Sequence, residues 1–231
     1  MDLSKLLFGV YPYVALTVFI LGSWIRFDTE QYTWKSDSSQ LLSRKWMMFG
    51  SNLFHIGVIA VFFGHLVGLL TPHALFGALG VSDMAHQWTA IAAGSVFGVF
   101  ALIGGVTLWL RRLTNSRVRA ASRWADIAIL AWLLITLMLG LSTIPVSIEH
   151  ANHGDAQVMI LLAEWAQSIA YLRPAPELLD SVPTVYKAHI SCGMTVFLLF
   201  PFTRLVHVWS VPVGYLGRAY QIVRSKQTAA R

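Results

Sequence analysis

Charge is scarce in this chain. Only 12% of its 231 residues are Asp, Glu, Lys or Arg, against about 25% in a soluble domain. A water-facing globule is therefore excluded. Cysteine is nearly absent: Cys192 stands alone. One thiol rules out an internal disulfide, a CxxC metal site and a CxxCH attachment for covalent haem. No internal repeat is visible, so the inverted halves of many transporters are missing. There is no low-complexity linker and no separable soluble domain. We expect one integral-membrane domain over residues 1–231.

Apolar length is what the chain has in abundance. It is 56% hydrophobic, with a mean hydropathy of +0.61. A bilayer core of about 30 Å needs roughly 20 apolar residues as a helix. Five segments qualify: Leu6–Ile25, Trp46–Leu70, Trp88–Leu110, Ile127–Ile148 and Ala188–Trp209. The fold class expected is an all-α membrane protein with five transmembrane helices. Met1-Asp2-Leu3 with Lys5, and no small-residue cleavage site, reads as a retained first span rather than a cleaved signal. A sixth stretch, Ala156–Leu172, carries Glu164 and Gln167. It is read as an amphipathic helix on the surface or packed on the bundle.

The net charge of +6 does not point to nucleic acid, because the basic residues cluster in short loops between spans. With five spans, one side holds Arg26, Lys35, Arg44, Lys45, Arg111, Arg112, Arg117, Arg119 and Arg123. Arg204, Arg218, Arg224, Lys226 and Arg231 join them. The other side holds Lys5, Arg173 and Lys187. Fourteen against three puts the N-terminus outside and the C-terminus inside.

Four histidines lie within the spans: His55 and His65 on the second, His189 and His207 on the fifth. Imidazole in hydrocarbon is costly, so each is a functional-site candidate. The two spans run antiparallel, which pairs the residues by depth. His65 faces His189 near the outer side, and His55 faces His207 near the inner side. Each pair offers two axial ligands to one haem iron, held without covalent attachment. The expected cofactors are two stacked haem b groups. Simple hydrogen bonding to a neighbouring helix and a proton relay are the competing roles. A compact metal site would need the four together.

Spacing is in tension with this pairing. On straight helices, His189 and His207 would share a face about 27 Å apart, while His55 and His65 would be about 15 Å apart. Pro201 is the expected kink. Gly57, Gly64, Gly68, Gly94, Gly98, Gly104, Gly105 and Gly193 leave room for a macrocycle or for close helix approach. Arg111, Arg112 and Arg204 sit at the inner depth as candidates for haem propionates or lipid phosphate. Two haems across a bilayer make an electron wire, and a quinol is the usual membrane donor. His86, at the outer end of the third span, is the candidate proton acceptor for its oxidation. His73 is a weaker one.

The motifs carry a resemblance. Tyr11-Pro12-Tyr13, Gly22-Ser23-Trp24-Ile25-Arg26 and Gln31-Tyr32-Thr33-Trp34 open it, with Ser38-Ser39-Gln40 after them. Ser51-Asn52-Leu53-Phe54-His55-Ile56-Gly57, Gly64-His65 and Leu70-Thr71-Pro72-His73 continue it. Leu102-Ile103-Gly104-Gly105-Val106 and Phe197-Leu198-Leu199-Phe200-Pro201-Phe202 follow, then Arg204-Leu205, His207 and Trp209-Ser210-Val211-Pro212. Over nearly its whole length the chain resembles the respiratory nitrate reductase gamma subunit, the membrane cytochrome b of that complex.

The resemblance implies a multi-pass protein of the bacterial inner membrane, N-terminus periplasmic and C-terminus cytoplasmic. It implies a distal haem on His65 and His189 and a proximal haem on His55 and His207. Quinol would be oxidised near the distal haem. Electrons would pass to an iron–sulfur beta subunit and a molybdenum-containing alpha subunit on the cytoplasmic face, where nitrate is reduced. One departure stands out: the family's typical quinol-site lysine aligns with His86. The loop Arg26–Lys45 and the tail after Trp209 are the docking candidates. A related b-type subunit of another oxidoreductase, such as a heterodisulfide-reductase-like complex, is the near alternative. A haem-free transporter or channel is the distant one.

Overall fold

The computed structural model describes residues 2–30, 32, 34, 39, 42, 44–210 and 217. Lys35, Arg218, Arg224, Lys226 and Arg231 lie outside the described residues. So do most of the tail after Ser210 and most of the loop between Glu30 and Arg44.

Five described helices are long and apolar enough to cross a membrane. They are α1 (Leu3–Thr29), α2 (Arg44–Leu70), α4 (Asp83–Thr114), α6 (Trp124–Asn152) and α8 (Thr184–Leu199), the last extended by a tight turn to Phe202. Shorter helices connect them: α3 (His73–Ala78), α5 (Ser116–Ala120) and α7 (Gln157–Ala170). Large apolar side chains such as Trp24, Ile59, Phe62, Phe63 and Ile103 point away from the bundle and are more than 45% exposed. In water that surface would be untenable; against lipid tails it is the normal outer face. The chain is a multi-pass membrane protein.

Helix contacts run in sequence around the bundle. α2 packs on α4, α4 on α6, α6 on α8, and α8 on α1. The α2–α4 contact is the most extensive, and small residues explain why. A Cβ on Gly57 would strike the backbone of Phe97 and Ala101, and one on Gly104 would strike the backbone of Phe54 and Gly50. The two helices thus touch backbone to backbone.

Local chemistry sets the helix ends. Ser82 caps α4, accepting from Ala85 N at 3.2 Å. Pro12 has no N–H to give the turn before it, and Leu6–Val10 is wound there as one wider π-helical turn. Trp165 Nε1 donates to Phe8 O in that turn at 3.0 Å. The same contact anchors α7, whose 14 residues are too short to span. Its inner face joins Phe8, Trp165, Ile169, Leu179, Val182 and Tyr186 in a buried cluster, as the amphipathic reading expects. Trp165→Phe removes the indole donor from a buried carbonyl. It should cost about 1–3 kcal/mol, read as a lower thermal midpoint in detergent.

The fifth span departs from the continuous helix Ala188–Trp209 expected of it. α8 stops at Leu199, Phe200–Phe202 tightens, and Thr203 is fully extended at φ −121°, ψ 179°. A second tight segment, Arg204–Ser210, follows. Pro201 forces the stop, since it cannot donate and its ring crowds the preceding turn. Arg26 then fixes the break. Its Nη1 donates to Pro201 O at 2.6 Å and Thr203 O at 2.8 Å, a side-chain cap on carbonyls the helix can no longer satisfy.

Candidate functional site

The break in the fifth span decides where His207 goes. His189 and His207 do not stand on one straight helix, so their 27 Å expectation does not apply. The structure brings the histidines together as topology pairs them. His65 and His189 have ring centres 6.0 Å apart, and His55 and His207 have theirs 6.4 Å apart. Two imidazoles on one metal, each bond about 2.0 Å, put their ring centres roughly 6 Å apart.

Each ring also presents the same atom. His55 Nδ1 is 2.7 Å from Ser51 O, His65 Nδ1 is 2.8 Å from Val61 O, His189 Nδ1 is 2.9 Å from Thr136 O, and His207 Nδ1 is 2.6 Å from Arg204 O. A carbonyl only accepts, so Nδ1 carries the proton and Nε2 keeps its lone pair. A carbonyl behind each ring is the usual support for a metal-bound imidazole. Three of the rings lean on their own segment; His189 leans on α6.

The space between the pairs fits a flat group. α2 and α8 make little direct contact, although both pack on intervening helices. Their histidines reach across the gap. A Cβ on Gly64, Gly94 or Gly193 would meet nothing within 4 Å, so these glycines border open space. Gly140 does the opposite: a Cβ there would lie 2.8 Å from His189 Cε1. Its missing side chain lets the His189 ring lie on α6. The donor set fits a haem at each pair, and at His65 and His189 the open space fits one as well.

At the His65/His189 end the gap widens into a cavity of about 300 Å³. Its walls are largely aliphatic, with a few polar groups among them. His86, on α4, lines it. The ring packs at a tilt of 32° on Phe76, with centres 4.3 Å apart, and its buried Nδ1 has no hydrogen-bond partner among the described residues. His73 sits nearby on α3 with Nδ1 3.1 Å from Asp83 Oδ1.

Further polar residues on these walls are not among the site candidates read from the sequence: Gln87, Thr143, Ser147, His150 and Tyr186. The fourth span, expected to end at Ile148, would leave His150 just beyond it. α6 continues to Asn152 and carries it into the wall, with Nδ1 2.8 Å from Val146 O. Ser147 and His150 are three residues apart at the end of a helix pattern, a shared-face signal that the sequence does contain. Tyr186 OH pairs with Ser147 Oγ at 2.7 Å and donates to Thr143 O at 3.3 Å, tying α8 to α6.

The three arginines collect at the other end, and all engage protein groups. Arg111 donates from Nη1 to Ser39 Oγ at 2.8 Å and from Nη2 to Ser39 O at 2.7 Å. Arg112 donates to Ser122 Oγ at 2.8 Å. Arg112 and Arg204 both approach Asp126, at 3.8 and 4.0 Å. Asp126, 6% exposed, is the counter-ion the sequence did not advertise. It offsets part of the buried positive charge, and the cluster ties α4, α6 and the His207 segment together.

Residues 4–226 match the family model described as "Nitrate reductase gamma subunit". The chain is 51% identical to the "Respiratory nitrate reductase 2 gamma chain" of Escherichia coli (strain K12), over 97% of this chain and 98% of the relative. It is 49% identical to the "Respiratory nitrate reductase 1 gamma chain" of the same organism, again over 97% and 98%. A more distant relative is the "Hdr-like menaquinol oxidoreductase cytochrome b-like subunit" of Archaeoglobus profundus. It is 23% identical over 73% of this chain and 49% of the relative.

Proposed function

Since the chain belongs to the nitrate reductase gamma subunit family, we propose that it is the membrane anchor and electron-transfer subunit of a quinol:nitrate oxidoreductase. As a gamma chain it belongs with alpha and beta partners in an oxidoreductase complex. The observation that carries the reading is the repeated histidine geometry. Two pairs, at different depths along α2, have similar ring separations and backbone-anchored Nδ1 atoms.

His65 and His189 would hold a distal haem b, and His55 and His207 a proximal one. Such a pair supplies one-electron transfer between the two faces of the membrane. The chain's own work is to keep four imidazoles neutral, oriented and shielded from water. The basic loops favour a periplasmic N-terminus and a cytoplasmic C-terminus. The His65 end then faces the periplasm, and the His207 end faces the iron–sulfur beta and molybdenum-containing alpha subunits.

The cavity between His65 and His189 is the space a distal haem would fill, and His86 on its wall would stand at that haem's side, where a quinol head group would meet it. A quinol gives up two protons with its two electrons. His86 is the candidate acceptor of a hydroxyl proton, and the neighbouring His73–Asp83 pair leads toward the outer surface.

The intact complex should oxidise a quinol only when nitrate is present. Quinol oxidation that ignores nitrate would favour a related b-type subunit with another partner, as the similarity to an Hdr-like cytochrome b-like subunit suggests. Lack of a reduced b-type α-band would exclude the haem reading. His86→Ala should slow quinol oxidation on the order of a hundredfold with both haem spectra retained. Unchanged turnover would remove His86 from the proton path.

A further inference from the structure

We propose that Arg26 is a positioning residue for the proximal haem alone: its grip on two carbonyls of the broken fifth span sets how the His207 imidazole is turned. The inference rests on the haem reading of the histidine pairs.

α1 carries none of the four ligand histidines, yet one of its faces holds the segment that carries His207. Phe19, Gly22 and Arg26 follow one another at helical spacing, three and four residues apart. Arg26 Nη1 donates to Pro201 O at 2.6 Å and to Thr203 O at 2.8 Å. Gly22 lies against Pro201, where an added Cβ would come within 2.8 Å of the ring's Cγ. Phe19 meets Phe200 edge-on, with ring centres 4.8 Å apart, and Trp209 at a tilt, with centres 5.4 Å apart. His207 thus lies between two points that α1 holds, Thr203 before it and Trp209 after it.

The grip matters because the helix has ended. Thr203 is extended and separates the turn at Phe200–Phe202 from the segment Arg204–Ser210. No continuous hydrogen-bond ladder crosses it, so the second segment would be free to pivot there. One Arg26 nitrogen binds a carbonyl on each side of Phe202 and closes that pivot. A single tight turn then leads to His207, whose Nδ1 rests on Arg204 O at 2.6 Å. His189 is held differently. It stands within the continuous helix α8, and its Nδ1 leans on Thr136 O of α6 at 2.9 Å. Losing the Arg26 grip should therefore reach one haem site and spare the other.

The carbonyl behind an imidazole sets its turn about the metal bond and so tunes the iron. The rings cross at 71° in the His55/His207 pair and at 47° in the His65/His189 pair. The low-spin ferric EPR signal of a bis-histidine haem follows the angle between its imidazole planes, so the two sites can be read separately.

The test uses the intact membrane-bound complex. His55→Tyr assigns the signals, since only the distal one should remain. Arg26→Met keeps much of the side chain's length and removes the donors. The proximal signal at its wild-type position should fall to roughly half or less, while the distal signal keeps its position and intensity. Two signals at wild-type position and intensity would overturn the assignment. Equal loss of both, with a lowered thermal midpoint, would make Arg26 a brace for the whole bundle and refute a selective role. Gly22→Ala decides the matter if Arg26→Met does not assemble. Its Cβ presses on Pro201 and should move the proximal signal alone; movement of both signals, or of neither, would count against α1 as the support of His207. A wild-type complex without a reduced b-type α-band would sink the haem reading itself.

Discussion

Replacing His189 with tyrosine is expected to leave one b-type haem where the wild type has two, and to abolish quinol oxidation. The phenol offers no neutral nitrogen ligand, and it is larger than the ring it replaces. The site has no slack for it: the His189 ring already lies against Gly140, close enough that a single Cβ there would be at 2.8 Å. Its Nδ1 anchor to Thr136 O would also go. His65→Tyr, on the opposite ligand, should give the same spectrum. A reduced-minus-oxidised difference spectrum reads the outcome directly. Dithionite should produce about half the wild-type α-band, and quinol none. His207→Tyr and His55→Tyr should differ in one respect. The remaining haem should still be reduced by quinol, while nitrate no longer reoxidises it. Retention of both haems in His189→Tyr would break the proposed pairing.

Gly57→Leu should produce the largest structural effect. Gly57 faces the backbone of Phe97 and Ala101 on α4. A flexible side chain could move aside, but backbone in a helix cannot. Leucine would force α2 and α4 apart along the most extensive contact in the bundle. Overpacking of this kind costs about 3 kcal/mol or more. Because His55 and His65 both ride on α2, the displacement should disturb both haem sites together. The expected result is a strongly lowered thermal midpoint in detergent, with both haem signals weakened in parallel. Gly64→Ala is the useful contrast, since a Cβ there meets no protein atom within 4 Å. It should leave helix packing intact and crowd only the space beside His65. Equal thermal midpoints for wild type and Gly57→Leu would show that the helices can separate at no cost.

Much of the architecture is present in the order of residues. Hydrocarbon has no water to satisfy a backbone, so long apolar runs must be helices, and their lengths name the spans. Short loops make successive spans antiparallel. That alone sorts His55 with His207 and His65 with His189, the pairs whose rings the structure places together. The amphipathic pattern of Ala156–Leu172 likewise identified a helix, Gln157–Ala170, that packs on the bundle without crossing it.

Other features belong to the tertiary structure, because they depend on atoms far apart in sequence. Pro201 announces a break, but only Arg26, 175 residues away, determines how the chain leaves it and so where His207 arrives. The arginines look like free cations until Asp126, Ser39 and Ser122 are seen beside them. Gln87 reads as an ordinary polar residue in a helix's first turns. Only the packing shows that its Nε2 donates to Ser147 O and ties α4 to α6. Periodicity and hydropathy are local sums, which a sequence carries in full. The partner of a given polar atom is set by packing across helices, and no local sum contains it.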